Sequence, residues 1–319
     1  MGKTAFIYTG QGSQHTGMGK DLYETFPAFR EGFDAGDLGF DLKKICFEGP
    51  DDVLMQTEYT QPALVAFACG MTNLLFEQGL KPDYTFGLSL GEYSALYAAG
   101  VWDAKTAIET VAYRGRVMAK TSEGLEVGMT AVIDLSEEEL LKCCKEASDL
   151  GIVSICNYNC PGQLVIGGEK NAVDRASALA KEAGAKRCLP LPVSGPFHTS
   201  LMKPAGDALR EYFKTLEFNE MRIPVLFNVL GKEKDDRSVA ELLELQVQRP
   251  VLMEASICRA FELGVDRFIE IGPGKALCSF VKKTAKKLGI GEYSLINVET
   301  AESLEALHTG INCIIRADI

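Results

Sequence analysis

The pentapeptide Gly87-Leu-Ser-Leu-Gly91 constrains the fold more than any other stretch of this chain. An apolar run, Tyr84-Thr-Phe86, leads into it, and a run of helix formers, Glu92-Tyr-Ser-Ala-Leu-Tyr-Ala-Ala99, leaves it. The backbone must therefore pass from strand to helix within a few residues. That is the setting of the G-x-S-x-G turn, whose glycines permit a strained bend that lifts the serine hydroxyl clear of the sheet. A tight glycine turn with an incidental serine fits the same five letters. The strand before and the helix after are what favour a nucleophile.

The rest of the chain extends this pattern. The apolar run Lys3 to Tyr8 reads as a buried strand ending in the glycine-rich loop Thr9 to Gly19, and a helix through about Thr60 to Gln78 precedes the strand at Tyr84 to Leu88. Such alternation predicts an α/β fold with a mostly parallel sheet. Between Gly128 and Ser194 the rhythm changes to strand (Met129 to Leu135), helix (Ser136 to Ala147), strand (Ile152 to Asn157), strand (Gln163 to Gly167), helix (Lys170 to Ala183) and strand (Arg187 to Val193). This βαββαβ order is ferredoxin-like. Ser136 with Glu139 reads as a capping box, and Cys160-Pro-Gly162 as the turn between the central strands. The outer strands of such a unit lie side by side, so it can be inserted in a loop of a parent domain. The expected division is a core of residues 1–123 and 195–319 with an inserted subdomain of residues 124–194. Strands at Val225 to Val229 and Arg267 to Ile271 are expected to resume the parent sheet.

Composition excludes several function classes. A formal charge of -11 opposes nonspecific binding to nucleic acid, and no arginine-rich, aromatic-interleaved stretch argues otherwise. No apolar run is long enough to span a bilayer, and the run at the N-terminus is too short for a secretion signal, so no membrane partner and a cytoplasmic location are expected. Ten cysteines are scattered, with Cys143 and Cys144 adjacent and none at zinc-ligand spacing; they read as reduced packing residues, with no metal.

A serine nucleophile needs a base, and the histidines are His15, His198 and His308. His198 lies in Val193-Ser-Gly-Pro-Phe-His198, a loop fixed by Gly195 and Pro196 after the last strand of the insert; alone it would read as an ordinary loop histidine. His308 sits in a polar C-terminal helix and reads as a surface residue, whereas His15, in the first loop, is placed to line the site. No aspartate stands in a loop where its pairing with His198 can be read from the sequence; a backbone carbonyl could orient the imidazole instead, which would make a Ser-His dyad. The oxyanion hole should use the N–H of Leu90, the residue after the nucleophile, with Gln11 as the second donor. Arg114 falls on the otherwise apolar row Ala107, Val111, Met118 and so points inward, unlike its neighbour Arg116. A buried ion pair would account for it; so would a substrate carboxylate gripped by two parallel hydrogen bonds, which selects acyl groups ending in a carboxylate. Gly10 and Gly12 do not complete a dinucleotide fingerprint, because His15 stands where the third glycine belongs, and Gly272-Pro-Gly274-Lys275 reads as a structural turn.

Taken in order, Thr9-Gly-Gln-Gly-Ser-Gln14, Thr60-Gln-Pro-Ala63, Gly87 to Ala95, Arg114-Gly115, Asn159-Cys-Pro-Gly-Gln163, Pro192-Val-Ser194 with His198, and Glu270 to Lys275 resemble the malonyl-CoA:acyl carrier protein transacylase family, shared with acyltransferase domains of polyketide synthases. The resemblance covers nearly the whole chain. It implies an α/β-hydrolase-like core with a ferredoxin-like subdomain, Ser89 as acyl acceptor, His198 as base, Arg114 on the malonyl carboxylate, the N–H groups of Gln11 and Leu90 on the oxyanion, and Gln61 and Gln163 near the acyl pocket. Phe197 is similar to the phenylalanine of malonyl-selective members, where a ring disfavours a branched substrate. Two positions depart from the pattern: Leu88 stands where histidine is frequent, and Leu252 where glutamine is frequent, a position expected to orient His198 through its backbone carbonyl.

The implied reaction is ping-pong transfer from malonyl-CoA to the phosphopantetheine thiol of acyl carrier protein, with no cofactor and with the protein a monomer. Fatty acid and polyketide pathways both fit, and a serine acyl hydrolase is the alternative. Carrier proteins of this kind are acidic, so docking should use a basic face: Lys275, Lys282, Lys283, Lys286 and Lys287, or Lys186 and Arg187, unless these runs are merely solvated.

Overall fold

The structure is a computed structural model that describes residues 2–308 and the backbone of residues 314–316. In chain order its strands are β1 (Lys3–Tyr8), β2 (Tyr84–Gly87), β3 (Val127–Ile133), β4 (Val153–Cys160), β5 (Gln163–Glu169), β6 (Arg187–Pro190), β7 (Leu226–Phe227), β8 (Lys232–Glu233), β9 (Val265–Ile271), β10 (Glu292–Val298) and β11 (Ile314–Arg316). The first sheet runs β11-β10-β9-β1-β2. Its pairs are parallel except for β10 with β11. Apolar side chains on both faces of β1 (Ala5, Phe6, Ile7 and Tyr8, all fully buried) are what a central strand of a parallel sheet requires. The loops that follow β1, β2 and β9 leave the same edge of this sheet, the edge where open α/β sheets hold their ligands.

The long helix Thr57–Glu77 packs against this sheet, and a second, Ala104–Ser122, packs on the first. The first starts three residues before the expected Thr60, because Pro62 reads as a first-turn residue but stands inside the helix. The second buries Ala107, Val111, Arg114 and Met118 on one row and leaves Arg116 exposed, as their spacing predicts.

The second sheet runs β4-β5-β3-β6 and is antiparallel throughout, so its first and last strands in the chain, β3 and β6, are neighbours. Helices Glu137–Ala147 and Lys170–Glu182 stand between β3 and β4 and between β5 and β6. Pro161 and Gly162 make the turn of the β4–β5 hairpin, with Cys160 opposite Gln163. The two sheets meet through the segment after residue 246: Asn157 bridges Val251, and Val251 donates its N–H to the Cys156 carbonyl.

Two expectations need correction. Val225 to Val229 does not form a strand of the parent sheet: only Leu226–Phe227 is extended, and it pairs with β8, touching β2 through a single Thr85–Val225 bridge. Asn228, a polar residue in the middle of the apolar run, diverts the chain for a reason given below. At Ser136 only half a capping box forms, since Glu139 pairs with Lys142 instead of reaching back; the complete box is Ser238 with Glu241. Among the described residues every cysteine is a free thiol, and no helix is long and apolar enough to cross a membrane.

Candidate active site

Ser89 stands between the end of β2 and the helix Gly91–Ala98, at a φ of 51°. The flanking glycines are there for space. A Cβ on Gly87 would lie 2.3 Å from the Gly91 carbonyl carbon, and one on Gly91 would lie 2.2 Å from the Tyr8 oxygen. Only three non-glycine residues among those described have a left-handed φ, and His198, at 63°, is another of them. Such backbones cost about 1–3 kcal/mol each and persist only where the surroundings impose them.

The two strained residues meet. Ser89 Oγ lies 2.6 Å from His198 Nε2, and His198 Nδ1 lies 2.7 Å from the backbone oxygen of Gln246. A carbonyl only accepts, so Nδ1 carries the proton and Nε2 presents its lone pair to the serine hydroxyl. The expected dyad is therefore present, but the orienting carbonyl belongs to Gln246 and not to Leu252. Leu252 is occupied elsewhere: its N–H donates to the Asn228 oxygen and its own oxygen accepts from Ser256. Burial, then the nearby Arg114 charge, lowers the His198 pKa to about 4, against the opposing backbone contacts with Gln246 and Arg249. At neutral pH the imidazole is the free base.

Arg114 is buried, 1% exposed. Its Nη2 donates to Ser89 Oγ at 3.3 Å and to Gln246 Oε1 at 3.0 Å, and its guanidinium lies 5.2 Å from the centre of the Tyr93 ring. No carboxylate pairs with it among the described residues, which removes the buried ion pair as its explanation. Its Nε is buried without a partner. Burial lowers its pKa, partly offset by Tyr93 and Glu92, yet a guanidinium stays charged. Beside Ser89 there is thus a fully buried cation whose charge no carboxylate compensates among the described residues.

Three further residues of this cluster are not among the site residues expected from the sequence. Gln246 reaches every member of the cluster: besides the two contacts above, its Nε2 donates to the Ser89 carbonyl at 2.7 Å. Asn228 and Glu92 lie behind the serine. Each carries the same signal, a polar residue placed among apolar ones: Gln246 on the row of Leu242 and Leu243, Asn228 within Val225 to Val229, Glu92 in the buried helix after the turn.

The remaining candidates divide. Gln11 Nε2 donates to Thr57 Oγ1, Gln61 Nε2 reaches Gln11 Oε1 at 3.5 Å and Met118 Sδ at 3.5 Å, and a cavity of 450 Å³ opens beside Gln11, Thr57 and Ser194. Among the described residues, no acceptor pairs with the backbone N–H of Gln11 or of Leu90. Phe197 is buried in the core with its ring against Gly195, and Gln163 begins β5 with no hydrogen bond to the cluster. Leu88, the other departure, donates its N–H to the Tyr8 oxygen and packs its side chain on the apolar cluster around Phe86. His15 is exposed and turned to the Thr16 carbonyl, so it does not line the site; the side chain of His308 lies outside the described residues. Gly272 packs on Thr9, in keeping with a structural turn.

A profile of the family described as "Acyl transferase domain" matches residues 5–310. The chain belongs to that family. This acyl transferase domain is 43% identical over 292 residues to the malonyl CoA-acyl carrier protein transacylase of Bacillus subtilis (strain 168), covering 90% of this chain and 92% of the relative. Among solved structures, MCAT from Streptococcus pneumoniae superimposes with a TM-score of 0.90 at 44% identity, covering 97% of this chain and all of the other (100%). A type II PKS acyl-carrier protein in complex with its malonyl-transacylase matches with a TM-score of 0.91 at 38% identity, over 97% of this chain and 99% of that one.

Proposed function

We propose that this acyl transferase domain carries a malonyl group from malonyl-CoA to the phosphopantetheine thiol of acyl carrier protein, supplying malonyl carrier protein for fatty acid synthesis. The observation that carries the reading is Arg114, a buried guanidinium 3.3 Å from Ser89 Oγ with no carboxylate of its own. The names of the relatives and the carrier-protein complex point to the same substrates.

In the first half-reaction, Ser89 Oγ bonds to the thioester carbonyl carbon as its proton passes to His198 Nε2. The charge on the former carbonyl oxygen falls to the free N–H groups of Gln11 and Leu90. The carbon–sulfur bond then breaks, and the coenzyme A sulfur takes the proton back from His198. In the second half, the carrier thiol gives its proton to His198 and attacks malonyl-Ser89, and Oγ leaves with that proton. Throughout, Arg114 holds the malonyl carboxylate in two hydrogen bonds, and Gln246 keeps both Arg114 and His198 in line. So written, the transfer requires neither metal nor bound cofactor.

The finer architecture follows the same reading: an α/β-hydrolase-like core over residues 1–123 and 195–319, and a ferredoxin-like subdomain over residues 124–194. The order β4-β5-β3-β6, with its two helices, supports the second assignment. Ser89, His198, Arg114 and Gln246 all come from one chain, which favours a monomer, and the free thiols favour the cytoplasm. For docking we favour the helix Ala276–Leu288, whose Lys282, Lys283 and Lys286 are exposed and carry no ion pair among the described residues, whereas Lys186 is paired with Asp134.

Intact mass after mixing with malonyl-CoA tests the reading. It requires a malonyl adduct that depends on Ser89 and discharges to carrier protein; steady release of free malonate without a persistent adduct would mark a hydrolase instead.

A further inference from the structure

Asn228 is fully buried and hydrogen-bonds through all four kinds of polar group it possesses. Its Oδ1 accepts from the Ser89 N–H at 2.7 Å, and its Nδ2 donates to the Gly87 oxygen at 2.7 Å. One carboxamide thus spans the strained turn, holding the backbone on both sides of the nucleophile. The main chain of Asn228 is itself fixed from two directions. Its N–H donates to Glu92 Oε2, and its oxygen accepts from the Leu252 N–H at 2.8 Å. This is why the apolar run from Val225 abandons the parent sheet after a single bridge: the chain turns to deliver Asn228 beneath Ser89.

Glu92 has no part in the chemistry described above, yet it is fully buried in the first turn of the helix Gly91–Ala98 that follows Ser89. Its Oε2 serves Asn228, while Oε1 has no hydrogen-bond partner. Burial raises its pKa to about 8, opposed by the Asn228 N–H and by Arg114. A buried carboxyl with one unpartnered oxygen is expensive to keep for packing alone.

We propose that Asn228 is a positioning residue for the nucleophile and that Glu92 positions Asn228: together they clamp the elbow so that Ser89 Oγ stays on His198 Nε2 and the Leu90 N–H stays free for the oxyanion. Neither touches the acyl group. The Ser89 carbonyl is held from the other side by Gln246 Nε2, so N–H and C=O of the nucleophile are both gripped by side chains from distant parts of the chain. The clamp rests on the acyl-transfer reading of Ser89.

The chemistry sets which substitutions matter. Asn228→Ala removes both bonds across the turn. Glu92→Gln keeps a carbonyl oxygen able to accept from the Asn228 N–H, and Glu92→Ala does not. The test is the single-turnover rate of Ser89 malonylation in the full chain, alongside the affinity for a non-cleavable thioether analogue of malonyl-CoA. Asn228→Ala is expected to slow acylation by about 100-fold, the scale of an ångström-sized misplacement, with analogue affinity within about twofold of wild type. Glu92→Gln should stay within about threefold of the wild-type rate, while Glu92→Ala falls toward Asn228→Ala. A wild-type acylation rate in Asn228→Ala would overturn the clamp, as would loss of analogue affinity in step with acylation, or a Glu92→Gln rate as low as that of Glu92→Ala. Wild type is the control for the function itself: if it forms no malonyl adduct, the acyl-transfer reading fails, whatever the variants do.

Discussion

Ser89 and His198 occupy comparable backbones, each non-glycine and each left-handed, but the chain secures them by different means. Ser89 sits on the end of a sheet strand, where Gly87 packs on Gly91 within the turn and Gly91 packs on the Tyr8 oxygen of the neighbouring strand β1. His198 sits on a loop and owes its orientation to Gln246, 48 residues further along, at the end of the helix Val239–Gln246. The turn that carries Ser89 is marked by its adjacent glycines, whereas nothing beside His198 in the sequence marks the carbonyl that orients it; in space, both residues are held by distant parts of the chain. A base held this way can be mispositioned by changes that leave the serine turn intact.

Removing each support in turn sharpens this comparison. His198→Ala should produce the largest loss, about 10³-fold or more in the rate of Ser89 malonylation, because among the described residues no second base reaches Oγ. An acylation rate near wild type would mean that Ser89 is activated by another group. Gln246→Ala keeps the backbone carbonyl on His198 Nδ1 but removes the side chain from Arg114 and from the Ser89 carbonyl. Its acylation rate should fall by only about tenfold, the worth of hydrogen bonds lost around a charged group. A loss as large as that of His198→Ala would show that the side chain, not the carbonyl, holds the dyad.

The smallest effect is a displacement of a pH profile. kcat/KM for malonylation follows the neutral fraction of His198 in the free enzyme. Burial and the Arg114 charge hold its pKa at about 4, below the ordinary 6.5, so the acid limb should lie well below the usual histidine range. Arg114→Ala removes a positive charge that disfavours imidazolium; the pKa must rise and the limb move to higher pH. An acid limb near the ordinary value in both proteins would contradict the burial of the base.

What could be read from the sequence divides along the same line as the dyad. The serine turn, the inward arginine, the β4–β5 turn and the alternation of strands and helices are written in runs of adjacent residues, and the structure bears them out. Each depends on periodicity or on turn chemistry confined to a few positions. Gln246, Asn228 and Glu92 act across separations of 132, 139 and 136 residues, toward Arg114, Ser89 and Asn228 respectively. Nothing in the local pattern says which distant group each polar side chain will meet, only that it is polar where its neighbours are apolar. The same cause made a sheet strand of the run that carries Asn228, whereas the orienting carbonyl was expected at Leu252 from the family resemblance and stands six positions earlier, at Gln246.

The proposed transfer turns on Arg114 receiving the acyl carboxylate beside Ser89. The direct measurement is the rate of Ser89 acylation by malonyl-CoA and by acetyl-CoA, in wild type and in Arg114→Ala. The expected result is a loss of about 100-fold with malonyl-CoA and little change with acetyl-CoA, so that the preference for malonyl collapses. Equal losses with both acyl groups would contradict it and leave Arg114 as a support of the serine alone.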